Sequence, residues 1–300
     1  MPKVSVILPV YNVGPYLDET LDSLTQQTLK DIEIIAVNDG STDDSEDILK
    51  KHQIADSRIS YFNQRNQGQS VARNLALQHA TGDYIYMMDA DDYIVPDALQ
   101  RCYDYAERTQ AVFIFFDGDS MLEEGAQPLT WNYHRTHLCE EGTPYRGDDL
   151  LNKMLDTEKH SCVVWLLLIR KSYLDSIGLS FYPGIIHEDE LFTTILTLKS
   201  HRIYCLQQRL VQHRVRRAST MGKRYSKRNI SCYLTVIDEL LRFQDSALTR
   251  KYARYTLSKV FYTGHILPLR DKVTLFARVI RSGYLKYIGL KATLVFWLKQ

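Results

Sequence analysis

The sequence contains few cysteines, and none of them form a close pair. It has five in 300 residues, an odd number at wide spacing with no Cys-x-x-Cys pair: Cys102, Cys139, Cys162, Cys205 and Cys232. Disulfide frameworks and structural zinc sites are built from evenly numbered or closely spaced cysteines. The cysteine usage therefore argues against a zinc site and indicates a reducing compartment.

Long hydrophobic runs are also absent. A membrane-spanning helix needs ~20 apolar residues, and the longest late run covers only residues 292–298. The N-terminus reads Met-Pro-Lys and enters an apolar run that Pro9 and Asn12 interrupt, which predicts a first strand rather than a signal peptide. We therefore expect a cytoplasmic protein.

Two glycine-rich nucleotide-binding motifs are missing as well. No Gly-x-Gly-x-x-Gly follows the first apolar run, and no Gly-x-x-x-x-Gly-Lys occurs in the sequence. The first motif binds dinucleotides, and the second cradles the phosphates of nucleoside triphosphates. Their absence argues against a nicotinamide-dependent enzyme and against a P-loop enzyme.

The net charge is small, but its distribution is uneven. The whole chain carries +1, whereas residues 201–300 contain 21 Lys and Arg against 4 Asp and Glu, and residues 1–200 contain 16 against 32. A strongly basic segment predicts an anionic partner. The charge alone leaves open whether that partner is a nucleic acid, an anionic lipid surface or a phosphorylated substrate.

Apolar strands alternate with helices through the first 116 residues. Continuous apolar runs that predict buried strands cover 4–10, 32–37, 59–62, 84–88 and 111–116. Helical patterns lie between them, with apolar stripes at Leu17, Leu21 and Leu24 and at Ile48 and Leu49, and with helices predicted over 69–79 and 96–108. This alternation predicts an α/β protein whose parallel strands are joined by right-handed crossovers.

Three carboxylates follow the fourth predicted strand at once. Asp89, Asp91 and Asp92 come directly after the apolar run that ends at Met88. In open α/β sheets, ligands bind at the carboxyl ends of the strands. Asp89 and Asp91 are therefore candidate ligands of a hard divalent cation, Mn²⁺ or Mg²⁺. The pattern leaves open a simpler interpretation, in which Asp91 and Asp92 cap a helix that begins near Pro96.

A fourth acid, Asp39, follows the second predicted strand. Because that strand should neighbour the first, its carboxylate should face the same cleft as Asp89. A carboxylate there can accept hydrogen bonds from a base N–H or from ribose hydroxyls. Gly40 suits the tight turn that follows, and Ser41 or Thr42 suits the cap of the next helix. Asp39 is thus a candidate nucleotide-binding residue.

Five motifs in this region occur in the order of a known enzyme family. They are SVILPVYN (5–12), VNDGSTD (37–43), NQG (66–68) with ARN (72–74), TGDY (81–84) and MDADD (88–92). Together they resemble the family-2 glycosyltransferases of bacterial surface-polysaccharide synthesis. The resemblance implies the GT-A fold, an α/β sandwich with a mainly parallel central sheet. That fold binds a nucleotide-diphosphate sugar at the carboxyl ends of its early strands.

The resemblance also implies roles for individual residues. The nucleotide-sugar site would comprise Pro9, Tyr11, Asp39, Arg73 and Asp89. Pro9 and Tyr11 would pack on the base. Asn74 is an alternative to Arg73 as the residue that holds the nucleotide. Asp91 would be the principal metal ligand beside Asp89, whereas Asp92 would be structural or a helix cap.

A second acidic cluster, Glu188-Asp189-Glu190, precedes an apolar helical stripe of Leu191, Phe192, Ile195 and Leu198. Acids are favourable at the positive end of a helix dipole, which is one interpretation of the cluster. The pattern Glu-Asp-x-x-Phe also matches the family's motif whose Asp is the general base on the acceptor hydroxyl. The resemblance therefore implies that Asp189 is the catalytic residue, with Glu188 as the less favoured candidate.

Two further stretches have weaker patterns. The basic stretch 212–217 resembles a segment that closes over the diphosphate in related enzymes, with Arg214 and Arg217 as candidates and a solvated loop as the alternative. Between Asp117 and Asp156 the sequence is polar and contains several glycines. We expect an irregular connection there, of the kind that often carries acceptor specificity.

The chain is predicted to form two regions. Residues 1–220 are the catalytic domain, divided into a nucleotide-sugar-binding half, 1–110, and an acceptor half, 111–220. Residues 221–300 are a basic, helical extension. Its last segment, 272–299, mixes apolar and aromatic residues with regularly placed Lys and Arg, which is typical of helices at an anionic membrane surface. The alternative is that this stripe packs on the catalytic domain.

The resemblance, taken with these patterns, implies an inverting, metal-dependent glycosyltransferase. It would move a sugar from a nucleotide-diphosphate donor, with UDP favoured, to a hydroxyl of a glycan or lipid-linked oligosaccharide in O-antigen, capsule or exopolysaccharide synthesis. We expect it at the inner face of a bacterial plasma membrane, with no nucleic-acid partner. A sugar-nucleotide nucleotidyltransferase and a non-catalytic adaptor on the same scaffold are the alternatives. The oligomeric state is left open.

Overall fold

The computed structural model describes residues 1–129, 131–216 and 225–299. Its first half alternates strands and helices as the sequence predicts. The strands are β1 Val4–Val10, β2 Ile32–Asn38, β3 Ile59–Asn63 and β4 Tyr84–Met87, and the helices are α1 Gly14–Thr25, α2 Ser45–Ala55, α3 Gln69–His79 and α4 Ala98–Thr109. The predicted α/β class and these elements are confirmed, apart from small shifts at their ends.

Four more strands, seven more α-helices and several short 3₁₀ helices are also present in the described residues. The strands are β5 Tyr93–Ile94, β6 Phe113–Leu122, β7 Leu167–Arg170 and β8 Ile203–Val215. The helices are α5 Gly147–Asp156, α6 Lys171–Ile177, α7 Glu188–Lys199, α8 Lys227–Phe243, α9 Ala247–Thr263, α10 Leu269–Arg281 and α11 Leu290–Leu298. All the strands belong to one eight-stranded sheet in the order β3-β2-β1-β4-β7-β6-β8-β5.

The sheet is mainly parallel, as predicted. Strands β1 to β4 run parallel to one another, and β6 runs parallel to β8. Strand β7 lies antiparallel between β4 and β6 and joins the two halves of the sheet. The carboxyl ends of β1, β2 and β4 therefore meet at one edge, which is where the first acids lie.

Successive residues of the central strands face opposite layers of the core. In β1, Val6 and Leu8 belong to one buried cluster, whereas Ile7 between them belongs to another on the other face of the sheet. In β2, Ile34 and Ile35 divide in the same way. A strand that is covered on both faces needs apolar residues at every position. This explains the unbroken apolar runs from which the strands were predicted.

The irregular connection predicted between Asp117 and Asp156 is wrong at both of its ends. Strand β6 continues to Leu122, because its polar residues from Asp117 onward pair with β8 along its whole length. Helix α5 occupies the other end and buries an apolar face that includes Leu150 and Met154. Between these two elements, the described residues include a short 3₁₀ helix, Thr136–Leu138.

Helices α8 to α11 pack on the preceding part of the chain through a third core cluster. Leu151 and Leu155 of α5 and Leu191 of α7 are buried in it together with side chains from all four C-terminal helices. The inner side of the extension thus packs on the rest of the protein, as the alternative interpretation proposed. The predicted boundary at residue 220 lies outside the described residues and stays a prediction. In the described parts of the chain we find no helix with the length and hydropathy that a bilayer span requires.

Candidate active site

The carboxyl edge of β1, β2 and β4 brings together the residues predicted to bind the nucleotide sugar. Pro9 lies near the end of β1, and Tyr11 follows it with an exposed ring, 49% accessible. Asn12 joins this loop to the one after β2, since its side-chain oxygen accepts a hydrogen bond from the Thr42 N–H at 2.8 Å. An exposed aromatic ring thus stands beside the polar ends of two strands, a suitable surface for a planar base.

Asp39 is buried and shapes the loop that leads into α3. One of its carboxylate oxygens accepts hydrogen bonds from the Gln64 side chain at 2.6 Å and from the Gln67 N–H at 2.8 Å, and the other accepts the Gly68 N–H at 2.8 Å. Gly68 has φ +89°, a left-handed conformation that glycine adopts at low cost. Asp39 therefore positions the loop in this structure, and its contact with a base stays a prediction.

Arg73 connects the two acidic clusters. Its guanidinium donates to Asp89 at 2.9 Å and to Glu188 at 2.7 Å, and it lies 5.2 Å from the centre of the Phe181 ring. The residue is only 3% exposed. Burial alone would lower the pKa of Arg73, but the charges of Asp89 and Glu188 raise it above its ordinary value. A fully charged guanidinium therefore holds the carboxyl edge of the early strands against the start of α7.

Asp92 is a structural residue. It is 1% exposed, and its carboxylate contacts His213 Nδ1 at 3.0 Å and accepts the Arg214 N–H at 2.8 Å, so it ties the end of β4 to β8. Burial lowers the pKa of His213, but the hydrogen bond to Asp92 and the nearby carboxylate charges more than compensate, and its pKa is raised. The interpretation of Asp91 and Asp92 as helix caps is wrong, because α4 begins at Ala98 and Asp97 occupies its N-cap position.

Asp91 lies where burial and neighbouring carboxylates disfavour its charged form. It pairs with Arg216 at 2.5 Å, and its side chain is 13% exposed. Burial and the charges of Asp92 and Asp89 raise the pKa of Asp91 to about 7, against the opposing effect of Arg216 and His213. Within the described residues, no group of three or more His, Cys, Asp or Glu side chains is arranged to hold a metal ion.

The basic residues near Asp91 differ in part from those predicted. Arg214 donates to the Asp91 carbonyl at 3.0 Å and contacts Glu19, so its guanidinium ties β8 to this edge. Arg217 lies outside the described residues. Arg216 and His213 were missed, although the stretch that contains them was identified. Arg214 and Arg216 both lie 5.0 Å from the Tyr16 ring, as expected of residues two apart at the end of a strand.

The first turn of α7 directs three successive carboxylates to three different surroundings. Glu188 is buried against Arg73 and the Gln69 side chain. Glu190 accepts the Tyr252 hydroxyl at 2.5 Å. Asp189 lies between them and is only partly buried. Successive residues of a helix point about 100° apart, so these three neighbouring side chains reach three different surroundings.

Asp189 has few contacts of its own among the described residues. Its Oδ1 accepts the Glu190 N–H at 3.0 Å, and its Oδ2 lies 3.6 Å from the Cys162 thiol. Burial and the charges of Glu188 and Glu190 raise the pKa of Asp189 well above its ordinary value. A raised pKa makes a carboxylate a stronger base, and Asp189 is partly accessible beside the cleft.

The comparison with known proteins follows this geometry. Residues 5–178, more than half of the chain, match the sequence model described as Glycosyl transferase family 2. The chain belongs to glycosyl transferase family 2. Of the three functions that the sequence left open, the family match favours the glycosyltransferase. The predicted residues Pro9, Tyr11, Asp39, Arg73, Asp89 and Asp91 lie inside the matched region, and Asp189 lies beyond it.

Individual relatives agree with this assignment. The transferase is 30% identical to the uncharacterized glycosyltransferase EpsJ of Bacillus subtilis, over 90% of this chain and 77% of the relative. Its fold is similar to that of S. aureus TarS in complex with UDP-GlcNAc, with a TM-score of 0.75 and 20% identity over 98% of this chain and 83% of that one. It is also similar to the mannosyltransferase PcManGT from Pyrobaculum calidifontis in complex with GDP-Man and Mn²⁺, with a TM-score of 0.61 and 18% identity over 97% and 79% of the two chains. The predicted GT-A fold is confirmed.

The Arg73 ion pairs yield a stability prediction. Substitution Arg73→Met should lower the free energy of unfolding by roughly 3–5 kcal/mol, because it leaves the buried Glu188 carboxylate without its cation. Urea denaturation measures the loss. The matched control is Arg101→Met, which breaks an exposed pair with Asp97 and should cost less than about 1 kcal/mol. Similar losses in the two variants would contradict a special role for Arg73.

The raised pKa of Asp91 yields a pH prediction. Since its pKa is about 7 in the folded chain and ~3.9 when unfolded, the folded state binds more protons between these values. The protein should therefore lose stability as the pH rises from 4 to 7. In metal-free buffer Asp91→Asn should gain stability over the native protein across that range, by more than about 1 kcal/mol at pH 8.

Thermal unfolding in EDTA at several pH values measures this difference. Asp104→Asn is the control and should show no such trend, because Asp104 is an exposed acid on α4 whose carboxylate accepts a hydrogen bond from the Gln100 side chain. If Asp91→Asn were less stable than the native protein at pH 8, the ion pair with Arg216 would outweigh burial and carboxylate repulsion. The pKa of Asp91 would then not be raised, and this explanation would be wrong.

Proposed function

We propose that this transferase moves a sugar from a UDP-sugar to an acceptor hydroxyl in a single, inverting displacement at the cleft between the two acidic clusters. One observation carries the proposal. Arg73 binds Asp89 at the nucleotide edge and Glu188 beside Asp189, so a base lies next to the edge where the family binds its donor. The acceptor would enter on the side of α7.

The donor would bind at the carboxyl edge of the early strands. The exposed Tyr11 ring with Pro9 would support the base, and Asp39 would accept hydrogen bonds from it. Arg73 would act on the nucleotide indirectly, by positioning Asp89, because its buried guanidinium is already bound to the carboxylates of Asp89 and Glu188. UDP is favoured over other nucleotides because TarS, whose structure holds UDP-GlcNAc, has the higher TM-score of the two solved relatives.

Asp91, with Asp89 beside it, would hold a divalent cation, Mn²⁺ or Mg²⁺. The crowded carboxylates fit a hard cation, since burial and mutual repulsion make the charged form of Asp91 unfavourable and a bound cation would offset that repulsion. Such ions bind through one or two carboxylates together with substrate phosphates, so three converging protein ligands are not required. When bound, the cation would stabilise the negative charge of the leaving diphosphate. Arg216 would then be free to leave Asp91 for a phosphate oxygen.

Asp189 would act as the general base. Its raised pKa suits it to remove the proton of the acceptor hydroxyl as the oxygen attacks the anomeric carbon. One displacement inverts that carbon, so an α-linked donor gives a β-linked product. The nearby Glu188 is bound to Arg73 and is less able to serve as the base.

The acceptor would be a glycan or a lipid-linked oligosaccharide of a bacterial surface polysaccharide. The outer surface of the C-terminal helices supports a lipid-linked acceptor. It exposes two rows of large apolar side chains, which we call the apolar face: Leu269, Val273 and Ile280 of α10, and Leu290, Leu294 and Leu298 of α11. Each is at least 49% exposed. Phe276 and Trp297, whose rings lie 5.2 Å apart, bring the two helices together.

The charges around the apolar face favour an anionic membrane as its partner. Residues 262–299 contain seven Lys and Arg but one acid, Asp271. Basic residues near an anionic bilayer contribute ~1 kcal/mol each, and apolar side chains add to binding when they enter the interface. A second copy of the same face would repel this positive charge, and a nucleic acid would leave the apolar rows without a partner. The protein would thus lie on the inner face of the plasma membrane.

The catalytic proposal is tested with Asp189→Asn. The substitution should lower kcat by a factor of roughly 10²–10⁴ and leave KM for the donor nearly unchanged. The assay is release of UDP from a panel of UDP-sugars with Mn²⁺, first with water and then with a bacterial membrane-lipid extract as acceptor. Asp149→Asn, an exposed acid of α5, is the control. Near-normal turnover by Asp189→Asn would refute the base, provided that thermal shifts show UDP and Mn²⁺ bind both proteins.

The membrane proposal is tested by co-sedimentation with lipid vesicles. The native protein should bind vesicles of phosphatidylglycerol and phosphatidylcholine more tightly than vesicles of phosphatidylcholine alone. The double substitution Leu290→Glu with Leu298→Glu should weaken binding to the anionic vesicles at least tenfold. The control Ile54→Glu changes an isolated, 88% exposed side chain of α2 and should bind normally. A native protein that stays in the supernatant, or that instead dimerises through this face in light scattering, would overturn the proposal.

A further inference from the structure

Helices α8 and α9 hold the residues on both sides of the Glu188-Asp189 pair. On the C-terminal side, Glu190 accepts the hydroxyl of Tyr252, a fully buried residue of α9, at 2.5 Å. His160 lies 3.5 Å from the same Glu190 oxygen and packs edge-on against the Tyr252 ring at 5.4 Å. Burial alone would raise the pKa of Glu190, but the neighbouring His160 and the hydrogen bond from the Tyr252 hydroxyl lower it to about 2. Glu190 is therefore a fixed anion with a defined partner.

On the N-terminal side, His187 is held by α8. Its φ is +68°, a left-handed conformation that is strained for a residue with a side chain and persists only where its surroundings impose it. The imidazole stacks on the Tyr233 ring with centroids 4.2 Å apart, and its Nε2 lies 3.3 Å from the Asn229 side-chain nitrogen. Asn229 belongs to the capping box at the start of α8. The His187 ring is therefore held by two residues of the same helix, Tyr233 and Asn229.

The position of Asp189 depends on these neighbours. Among the described residues, its carboxylate has one hydrogen bond from the next residue and one long thiol contact. Neither fixes the carboxylate relative to the cleft. The backbone that carries Asp189 is held by the Thr193 hydroxyl, which donates to the Asp189 carbonyl, by the Arg73–Glu188 pair, and by the contacts of His187 with α8 and of Glu190 with α9. A catalytic group must be held within a fraction of an ångström of its productive position, so contacts to its neighbours bear directly on rate.

We propose that Tyr252, acting through Glu190, and Tyr233, acting through His187, are positioning residues for the base. The C-terminal helices are then part of the catalytic unit as well as the carrier of the apolar face. This inference rests on the proposed function in one respect, the assignment of Asp189 as the base. It differs from a general packing role because it predicts a loss of turnover without a matching loss of donor affinity or fold.

The test is Tyr252→Phe, which removes one hydroxyl and keeps the buried ring. We expect kcat for UDP release to fall about tenfold or more while KM for the UDP-sugar stays within twofold, because the donor edge is untouched and the base is misplaced. The control is Tyr255→Phe on the same helix, whose hydroxyl contacts Lys259 and should be dispensable. A second variant, Glu190→Gln, keeps an acceptor for the Tyr252 hydroxyl and should retain more activity than Glu190→Ala.

Hydrogen exchange gives a readout that needs no substrate. In the Tyr252→Phe protein, a peptide covering residues 186–192 should exchange its amides faster than in the native protein, and in the Tyr255→Phe protein it should not. Unchanged exchange in Tyr252→Phe would overturn the proposal, and so would faster exchange with unchanged kcat. If the native protein released UDP from no donor, the proposed function would fail, and the exchange experiment would still decide whether Tyr252 holds this turn.

Discussion

The buried guanidinium of Arg73 is the interaction on which the candidate site depends. It binds Asp89, 16 residues away in sequence, and Glu188, 115 residues away. A buried guanidinium loses the solvation of water and needs well-placed anions in return. Two carboxylates from opposite sides of the cleft meet that need, and their separation is then set by the width of one guanidinium. The nucleotide edge and the start of α7 are thereby fixed relative to each other.

The sequence predicted the first half of the fold well because its strands are buried on both faces. At Val6, Ile7 and Leu8 the apolar residues are continuous, and no other common element needs that pattern over so few residues. The extension of β6 beyond Asp117 could not be found in the same way. Its residues are polar, and it is a strand only because β8, some 90 residues later, pairs with it.

The sequence named candidate residues for the site, but it did not indicate the contacts that they make with one another. The acids after β2 and β4 were identified, because sequence position at a strand end already indicates a ligand-binding edge. Asp39 hydrogen-bonds to the loop before α3, and Arg73 forms ion pairs with Asp89 and Glu188. These contacts depend on tertiary distances, which a local sequence pattern does not contain. Arg216 could have been identified from the sequence, because it lies two residues after Arg214 and alternate residues of a strand point to the same face. The C-terminal helices have one apolar side buried in the core and another exposed to solvent. Their sequence mixes apolar and basic residues throughout, so it does not indicate which apolar residues are buried and which are exposed.

The most direct test of the site is a crystal structure of the protein with UDP and Mn²⁺, recorded at the manganese absorption edge. We expect a single anomalous peak in contact with Asp91 and the diphosphate, the uracil ring against Tyr11, and Arg73 still bound to Asp89 and Glu188. A manganese peak away from Asp91, or UDP bound outside the edge of β1, β2 and β4, would contradict the assignment of this cleft as the donor site.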